Sequence, residues 1–251
     1  MPVGPSAASR PRQALVHSAR GADLPNEAEF APSAALSSRP GTRKASLENV
    51  VVLKLGGSHA LAPHLNDWLA AIAAEAGNVI VAPGGGPFAD AVRAAQAAMG
   101  FDDAAAHDMA LMAMSQFGRA LQGLDPRFRL AASIASIRRA LRERTVPVWS
   151  PEAMALRAKL PATWDLTSDS LAAWLTGAIG ARRLVLIKHG RFPPDGVAVD
   201  KLVTDGVVDR LFPHYVERFG IAVSLAHPDD AHRLARELHG RAFPEIFASS
   251  P

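Results

Sequence analysis

The sequence has no cysteine and no apolar run of the length that crosses a membrane. Without cysteine there are no disulfides and no metal sites with cysteine ligands. The longest apolar stretch, residues 171–181, lies between Asp169 and Arg182 and is shorter than the roughly 20 residues of a membrane helix. The N-terminus also lacks the apolar segment of a secretory signal. We therefore expect a cytoplasmic protein with no membrane partner.

Net positive charge is missing from most of the chain, although the sequence pI is about 9.7. Of 27 basic and 24 acidic side chains, six basic and three acidic ones lie in residues 1–46, which leaves 21 of each in residues 47–251. A nucleic-acid-binding surface needs clustered basic residues. We therefore expect no nucleic-acid partner.

Residues 1–46 are rich in Ala, Ser, Pro and Arg and show no apolar periodicity, which predicts a disordered extension. Arginine and serine would also suit a transit peptide, but the prolines and two glutamates argue against one. An overextended start of the reading frame is a further alternative. Residues 47–251 are predicted to form one domain.

Strands and helices alternate along this predicted domain. Short β-branched or apolar runs predict strands at residues 50–55, 79–81, 146–149, 184–187 and 221–225. Helical spacing of apolar residues predicts helices near residues 61–72, 88–98, 104–121, 134–141, 167–179, 209–219 and 230–238. This alternation predicts an α/β protein with a mainly parallel sheet and helices on both faces.

Glycines and lysines follow three of the predicted strands. The segments are Lys54-Leu55-Gly56-Gly57-Ser58, Gly84-Gly85-Gly86-Pro87 and Lys188-His189-Gly190. Ligands of parallel sheets bind beyond the carboxyl ends of the strands. Glycine lets backbone N–H groups approach an anion, and lysine adds a mobile positive charge. These segments predict a phosphate site at one edge of the sheet.

Other phosphate and nucleophile motifs match less well. A Walker loop requires a Gly-Lys dipeptide, which is absent. Gly84, Gly86 and Ala89 satisfy the dinucleotide fingerprint, but the acid that follows is too close in sequence. Ser58 lies in a near match to the hydrolase nucleophile elbow, with Ala60 in place of the last glycine. A hydrolase with Ser58 as nucleophile stays a minor alternative.

Two carboxylates open the helix predicted over residues 167–179. Asp165 and Asp169 are four residues apart in Trp164-Asp165-Leu166-Thr167-Ser168-Asp169-Ser170, so both approach the same rim of the sheet. Ordinary helix capping would explain either residue on its own. Asp169 could alternatively hold the lysines of the phosphate site in position.

Taken together, three segments resemble the amino acid kinase superfamily. They are Lys54-x-Gly56-Gly57-Ser58, the segment from Val81 to Pro87, and Thr167-Ser168-Asp169-Ser170-x-Ala172. Within that superfamily, residues 107–114 and Trp164 are similar to the aminomethylfuran phosphate kinases of methanofuran and methylofuran biosynthesis. The resemblance implies a three-layer αβα sandwich around a mainly parallel central sheet.

The resemblance also implies ATP-dependent phosphoryl transfer to a small phosphorylated substrate. Lys54 would contact the transferring group, and Asp169 would organise the lysines. Superfamily members often have Thr-Asp and a later glycine where this chain has Ile187-Lys188-His189-Gly190, so either Lys188 adds a phosphate contact or the nucleotide loop is rebuilt. Gly56, Gly57 and Ser58 would bind nucleotide phosphates, which Mg²⁺ would bridge; no side chain is assigned to a metal site. We further expect a homo-oligomer.

The acceptor is expected at a second set of residues. They are Gly84, Gly85, Gly86, Arg93, His107 and Asp165, the last of which would suit a cationic aminomethyl group. The second lysine of the superfamily has no clear counterpart, and Lys201 is only a candidate. That departure motivates the alternative of a non-catalytic member that stores or senses nucleotides or oxyanions.

Overall fold

Eight strands form one sheet in the computed structural model, which describes residues 47–240 and 243–247. The predicted extension over residues 1–46 lies outside this part of the chain. The strands are β1 Val51–Leu55, β2 Val79–Pro83, β3 Phe128–Ala131, β4 Val146–Trp149, β5 Arg183–Ile187, β6 Val197–Ala198, β7 Ala222–Ala226 and β8 Glu245–Phe247. Their order is β3-β4-β2-β1-β5-β7-β8-β6, and every pair is parallel except β7 with β8.

Helices connect these strands and cover both faces of the sheet. They are α1 Leu65–Ala74, α2 Gly86–Met99, α3 Asp103–Leu124, α4 Ile134–Arg142, α5 Glu152–Arg157, α6 Ser168–Ile179, α7 Val199–Thr204, α8 Phe212–Phe219 and α9 Leu234–His239. Short 3-10 helices span Gly57–His59 and Pro228–Arg233. The protein is thus an α/β sandwich with a mainly parallel sheet, as predicted. No helix of the described ranges is long and apolar enough to cross a membrane.

The side chains of the central strand β1 point alternately to the two faces of the sheet. Val51, Leu53 and Leu55 pack in one buried cluster with apolar residues of α1, α3 and α9. Because side chains alternate along a strand, Lys54 lies on the other face, where α6 crosses β1 and β5. The register aligns Leu55 with Pro83 of β2 and with Ile187 of β5. The segments that follow these three strands therefore meet at one edge.

The predicted strands are confirmed as β1, β2, β4, β5 and β7, but β3, β6 and β8 were not predicted. β6 and β8 have only two and three residues, and β3 has four with an exposed Arg129 at its second position. Such short segments lack a distinctive apolar run. The helix predicted over residues 209–219 begins at Phe212. The helix predicted over residues 230–238 consists of the end of the 3-10 helix Pro228–Arg233 followed by α9.

Candidate active site

Two lysines lie at neighbouring strand ends on one face of the sheet. Lys54 is the fourth residue of β1, and its register partner on β5 is Leu186. Lys188 directly follows β5, and its N–H donates to Ala226 O at 2.9 Å. Since side chains alternate, Lys188 points to the same face as Leu186 and Lys54. That face is the one covered by α6.

One carboxylate joins the two lysines into a lysine–aspartate centre. Asp169, the second residue of α6, has its Oδ1 2.8 Å from Lys54 Nζ. Lys188 Nζ donates to Asp169 Oδ2 at 2.6 Å and to Val207 O at 2.5 Å. Only 4% of Asp169 and 6% of Lys54 are exposed. The sequence motifs thus converge on a centre that is nearly closed to water.

The charges of this centre do not cancel. Burial would by itself raise the pKa of Asp169, but Lys54 and Lys188 outweigh burial and hold that pKa below its usual value. Burial, reinforced by the charge of Lys54, lowers the pKa of Lys188 to about 8, so Lys188 stays mainly protonated at neutral pH. Two cations of the centre then face one anion of the centre, and the carboxylate of Asp209 also acts on Lys188. The two ammonium groups favour a bound anion at short range.

Asp209, which the sequence predicts only as the start of a helix, fixes the first turn of α6. Its carboxylate accepts hydrogen bonds from Thr167 N at 3.0 Å, Thr167 Oγ1 at 2.7 Å, Ser170 N at 3.1 Å and Ser170 Oγ. Burial and the nearby negative charge of Asp169 raise the pKa of Asp209. Its partners are about 40 residues away in sequence, so no local pattern could have revealed this contact.

The two glycine loops touch backbone to backbone. A Cβ atom on Gly57 would overlap the backbone of Gly86, and one on Gly84 would overlap the amide nitrogen of Gly57. Gly84 N also donates to Leu55 O at 2.8 Å. Gly86 has a φ of +55°, a conformation that favours glycine. Glycine is therefore required here for loop contact and for backbone geometry.

The predicted nucleotide loop continues into the 3-10 helix Gly57–His59. Its first intrahelical bond runs from His59 N to Gly56 O at 3.1 Å, so the amides of Gly57 and Ser58 precede the hydrogen-bonded turn. Ser58 is exposed. Lys54 Nζ lies beside Gly56, within 3.2 Å of where a Cβ of that glycine would be. The loop thus adjoins the lysine–aspartate centre.

A small pocket lies between α2, α3 and the start of α6. It has a volume of about 60 Å³ and includes Gly85, Arg93, His107, Trp164 and Ser168 in its lining. The Arg93 guanidinium lies 4.5 Å from the centre of the Trp164 ring. Burial lowers the pKa of His107, which keeps this ring neutral. Three of the predicted acceptor residues, Gly85, Arg93 and His107, are thereby brought together.

Two other candidates lie apart from this pocket. Asp165 does not belong to its lining and pairs loosely with exposed Arg210, at 4.0 Å from Nε. Lys201 is exposed on α7, and its Nζ lies 2.8 Å from Oδ2 of Asp205, the residue that follows this helix. In place of Lys201, Lys188 supplies the second ammonium group at Asp169.

A model of the amino acid kinase family matches residues 49–190, more than half of the chain. The chain belongs to the amino acid kinase family. The match spans the three motif segments and ends two residues beyond Lys188. No curated protein matches the chain in sequence.

Solved structures share the fold of this family member at low sequence identity. The UMP kinase from Ureaplasma parvum is 16% identical with a TM-score of 0.60, covering 80% of this chain and 98% of that one. The uridylate kinase from Archaeoglobus fulgidus is 19% identical with a TM-score of 0.60, covering 79% and 100%. The aspartate kinase from Synechocystis is 14% identical with a TM-score of 0.55, covering 80% of this chain but 40% of its own.

Proposed function

We propose that the protein is an ATP-dependent kinase that phosphorylates a small phosphomonoester and makes a diphosphate. The observation that carries this proposal is the lysine–aspartate centre, in which Asp169 holds Lys54 and Lys188 beside two touching glycine loops. Phosphoryl transfer requires little covalent chemistry from the protein. It depends on positioning of the reactants and on stabilisation of negative charge. Two fixed ammonium groups with nearby backbone amides are suited to that task.

Each residue of the centre would have a distinct role. Lys54 and Lys188 would stabilise the negative charge on the transferring phosphoryl group, and Asp169 would keep their ammonium groups in position. The amides that follow Gly56 would donate hydrogen bonds to nucleotide phosphates. When bound, ATP supplies the phosphoryl group and Mg²⁺ offsets its charge. Both oxygens of Asp169 are engaged by lysines, so Mg²⁺ would depend on phosphate oxygens and water for its ligands.

The acceptor we propose is an aminomethylfuranyl-methyl phosphate, in the biosynthesis of a one-carbon furan cofactor. A pocket of about 60 Å³ beside Trp164 favours a small aromatic ring over a nucleoside. Arg93 lines the same pocket and would pair with the substrate phosphate. Asp165 is outside the pocket lining but next in sequence to Trp164, and it would attract the cationic aminomethyl group. The position of Lys188 also supports a kinase over a non-catalytic member, since a second lysine is present at Asp169.

The test is ADP release by the full-length protein with ATP, Mg²⁺ and a panel of acceptors: the furan phosphate, UMP and aspartate. We expect turnover with the furan phosphate and a product heavier by one phosphoryl group. Lys54→Ala should lower kcat about 100- to 1,000-fold. Tight nucleotide binding without ADP release for any acceptor would instead favour the storage or regulatory alternative.

A further inference from the structure

Three histidines outside the proposed reaction converge beside the nucleotide loop. His59 ends the 3-10 helix that begins at Gly57, His64 immediately precedes α1, and His189 follows Lys188. One ring nitrogen of each lies within 4.8 Å of the other two. We refer to these residues as the histidine cluster. They are not neighbours in sequence, since the segments after β1 and after β5 supply them separately.

Hydrogen bonding fixes the orientation and the tautomer of the buried member. His59 Nε2 lies 3.0 Å from Ile187 O. A carbonyl only accepts, so Nε2 carries the proton and Nδ1 keeps its lone pair. That Nδ1 points into the cluster, 2.8 Å from His64 Nε2, which donates to it. Metal-binding histidines characteristically have one nitrogen held by such an outer hydrogen bond while the other binds the ion.

The other two members complete an accessible set of imidazoles. The His189 ring stacks on His59 with centroids 4.3 Å apart, and it makes no hydrogen bond within residues 47–240 and 243–247. His59 is fully buried, His64 is half-buried and His189 is exposed, so the cluster opens to solvent on one side. Burial lowers the pKa of His59 to about 4 and also lowers that of His64, which keeps these rings neutral.

We propose that His59, His64 and His189 bind a divalent late first-row metal ion of the Zn²⁺ type, with water in a fourth position. Imidazole nitrogen is a preferred ligand of such ions. Tetrahedral ligands about 2.0–2.1 Å from the ion lie about 3.3 Å apart, so His64 must withdraw slightly from His59. The exposed ring of His189 must also rotate out of its stack on His59, because an imidazole nitrogen binds a metal in the plane of its ring. The proton of His64 moves from Nε2 to Nδ1, and no net proton is released.

Nearby charges act in both directions on this site. The positive charge of Lys54 acts on His59 and disfavours a bound cation. The carboxylates of Asp67 and Asp229 act on His64 and favour one. A bound ion would link the segment after β1 to the segment after β5, next to the lysine–aspartate centre. Metal binding itself does not depend on the proposed kinase activity.

The experiment titrates untagged, metal-free full-length protein with Co²⁺ and then displaces Co²⁺ with Zn²⁺. We expect one equivalent to bind, with the intense visible bands of four-coordinate Co²⁺ and a higher Tm in the presence of metal. His189→Gln and His64→Gln should each weaken binding more than about 100-fold, since loss of an outer partner alone costs about 10- to 100-fold. Both variants avoid disturbing the fully buried His59.

His239→Gln is the matched control, because His239 is exposed at the end of α9 and is not a member of the cluster. It should bind Co²⁺ as the unmodified protein does. Equal affinity of the unmodified protein and His189→Gln would overturn the proposal, as would a pale six-coordinate Co²⁺ spectrum or the absence of binding. The Tm of each metal-free variant is measured as well. Equal Tm values show that a variant without the Co²⁺ bands is folded and has lost a metal ligand.

Discussion

The lysine–aspartate centre and the pocket beside Trp164, which we propose binds the acceptor, are built from different parts of the fold. The centre takes Lys54 and Lys188 from strand ends and Asp169 from the first turn of α6, all nearly closed to water. The pocket is lined mainly by α2, α3 and the segment before α6. Exposed Arg93 belongs to its lining, whereas half-exposed Asp165 does not. On the proposed function, charge stabilisation would depend on buried residues of the core, whereas acceptor selectivity would depend on more exposed side chains.

The largest effect should follow Asp169→Asn. Two buried lysines would lose their counter-charge, and breaking a buried ion pair costs about 3–5 kcal/mol of unfolding free energy. We expect kcat to fall about 1,000-fold or more and stability to drop in urea unfolding. The control is Asp205→Asn, whose exposed pair with Lys201 should contribute less than about 1 kcal/mol. Equal stability of the two variants would contradict a structural role for the centre.

Gly57→Ala probes the contact between the two glycine loops. The added methyl group would overlap the backbone of Gly86 and push the two glycine loops apart. We expect a loss of about 1–3 kcal/mol of unfolding free energy, together with a lower kcat and a higher KM for ATP. Gly123→Ala is the matched control, since its Cβ would meet no atom within 4 Å; that helical site should gain about 0.4–1 kcal/mol.

Asp209→Asn tests whether Asp209 positions Asp169 or contacts the substrate directly. Asparagine would turn an N–H₂ group toward the donors of Thr167 and Ser170, which costs about 1–3 kcal/mol when one buried partner is lost. The first turn of α6 would shift, and Asp169 with it. We expect a roughly tenfold lower kcat with the KM for the acceptor nearly unchanged. A change confined to KM would place Asp209 in substrate binding instead.

The smallest effect should follow Asp165→Asn. Its carboxylate is half exposed, so water and salt screen its charge. We expect KM for an aminomethyl acceptor to rise up to about fivefold, since an ion pair at such an exposed carboxylate is worth at most about 1 kcal/mol, while kcat stays the same. An acceptor that lacks the amine should show no change. An equal KM increase for both acceptors would rule out charge recognition by Asp165.

Sequence patterns predicted the centre better than the pocket for a physical reason. Buried strands such as β1 and β5 appear as apolar runs, and the parallel-sheet rule then brings their following residues to one edge. Lys54 and Lys188 were predicted by this rule. The contact of Asp209 with the first turn of α6 spans about 40 residues and depends on tertiary packing, as does the separation of Asp165 from the pocket lining. Neither is encoded in a local pattern.

The pairing of Lys188 with Asp169 is the central claim, and the turnover of Lys188→Ala beside Lys201→Ala tests it most directly. Both variants remove one ammonium group, but Lys188 is in the centre and Lys201 is exposed on α7. We predict that Lys188→Ala lowers kcat for ADP release about 100- to 1,000-fold and that Lys201→Ala stays within about twofold of the unmodified protein. Full activity of Lys188→Ala, or equal loss in Lys201→Ala, would contradict the account.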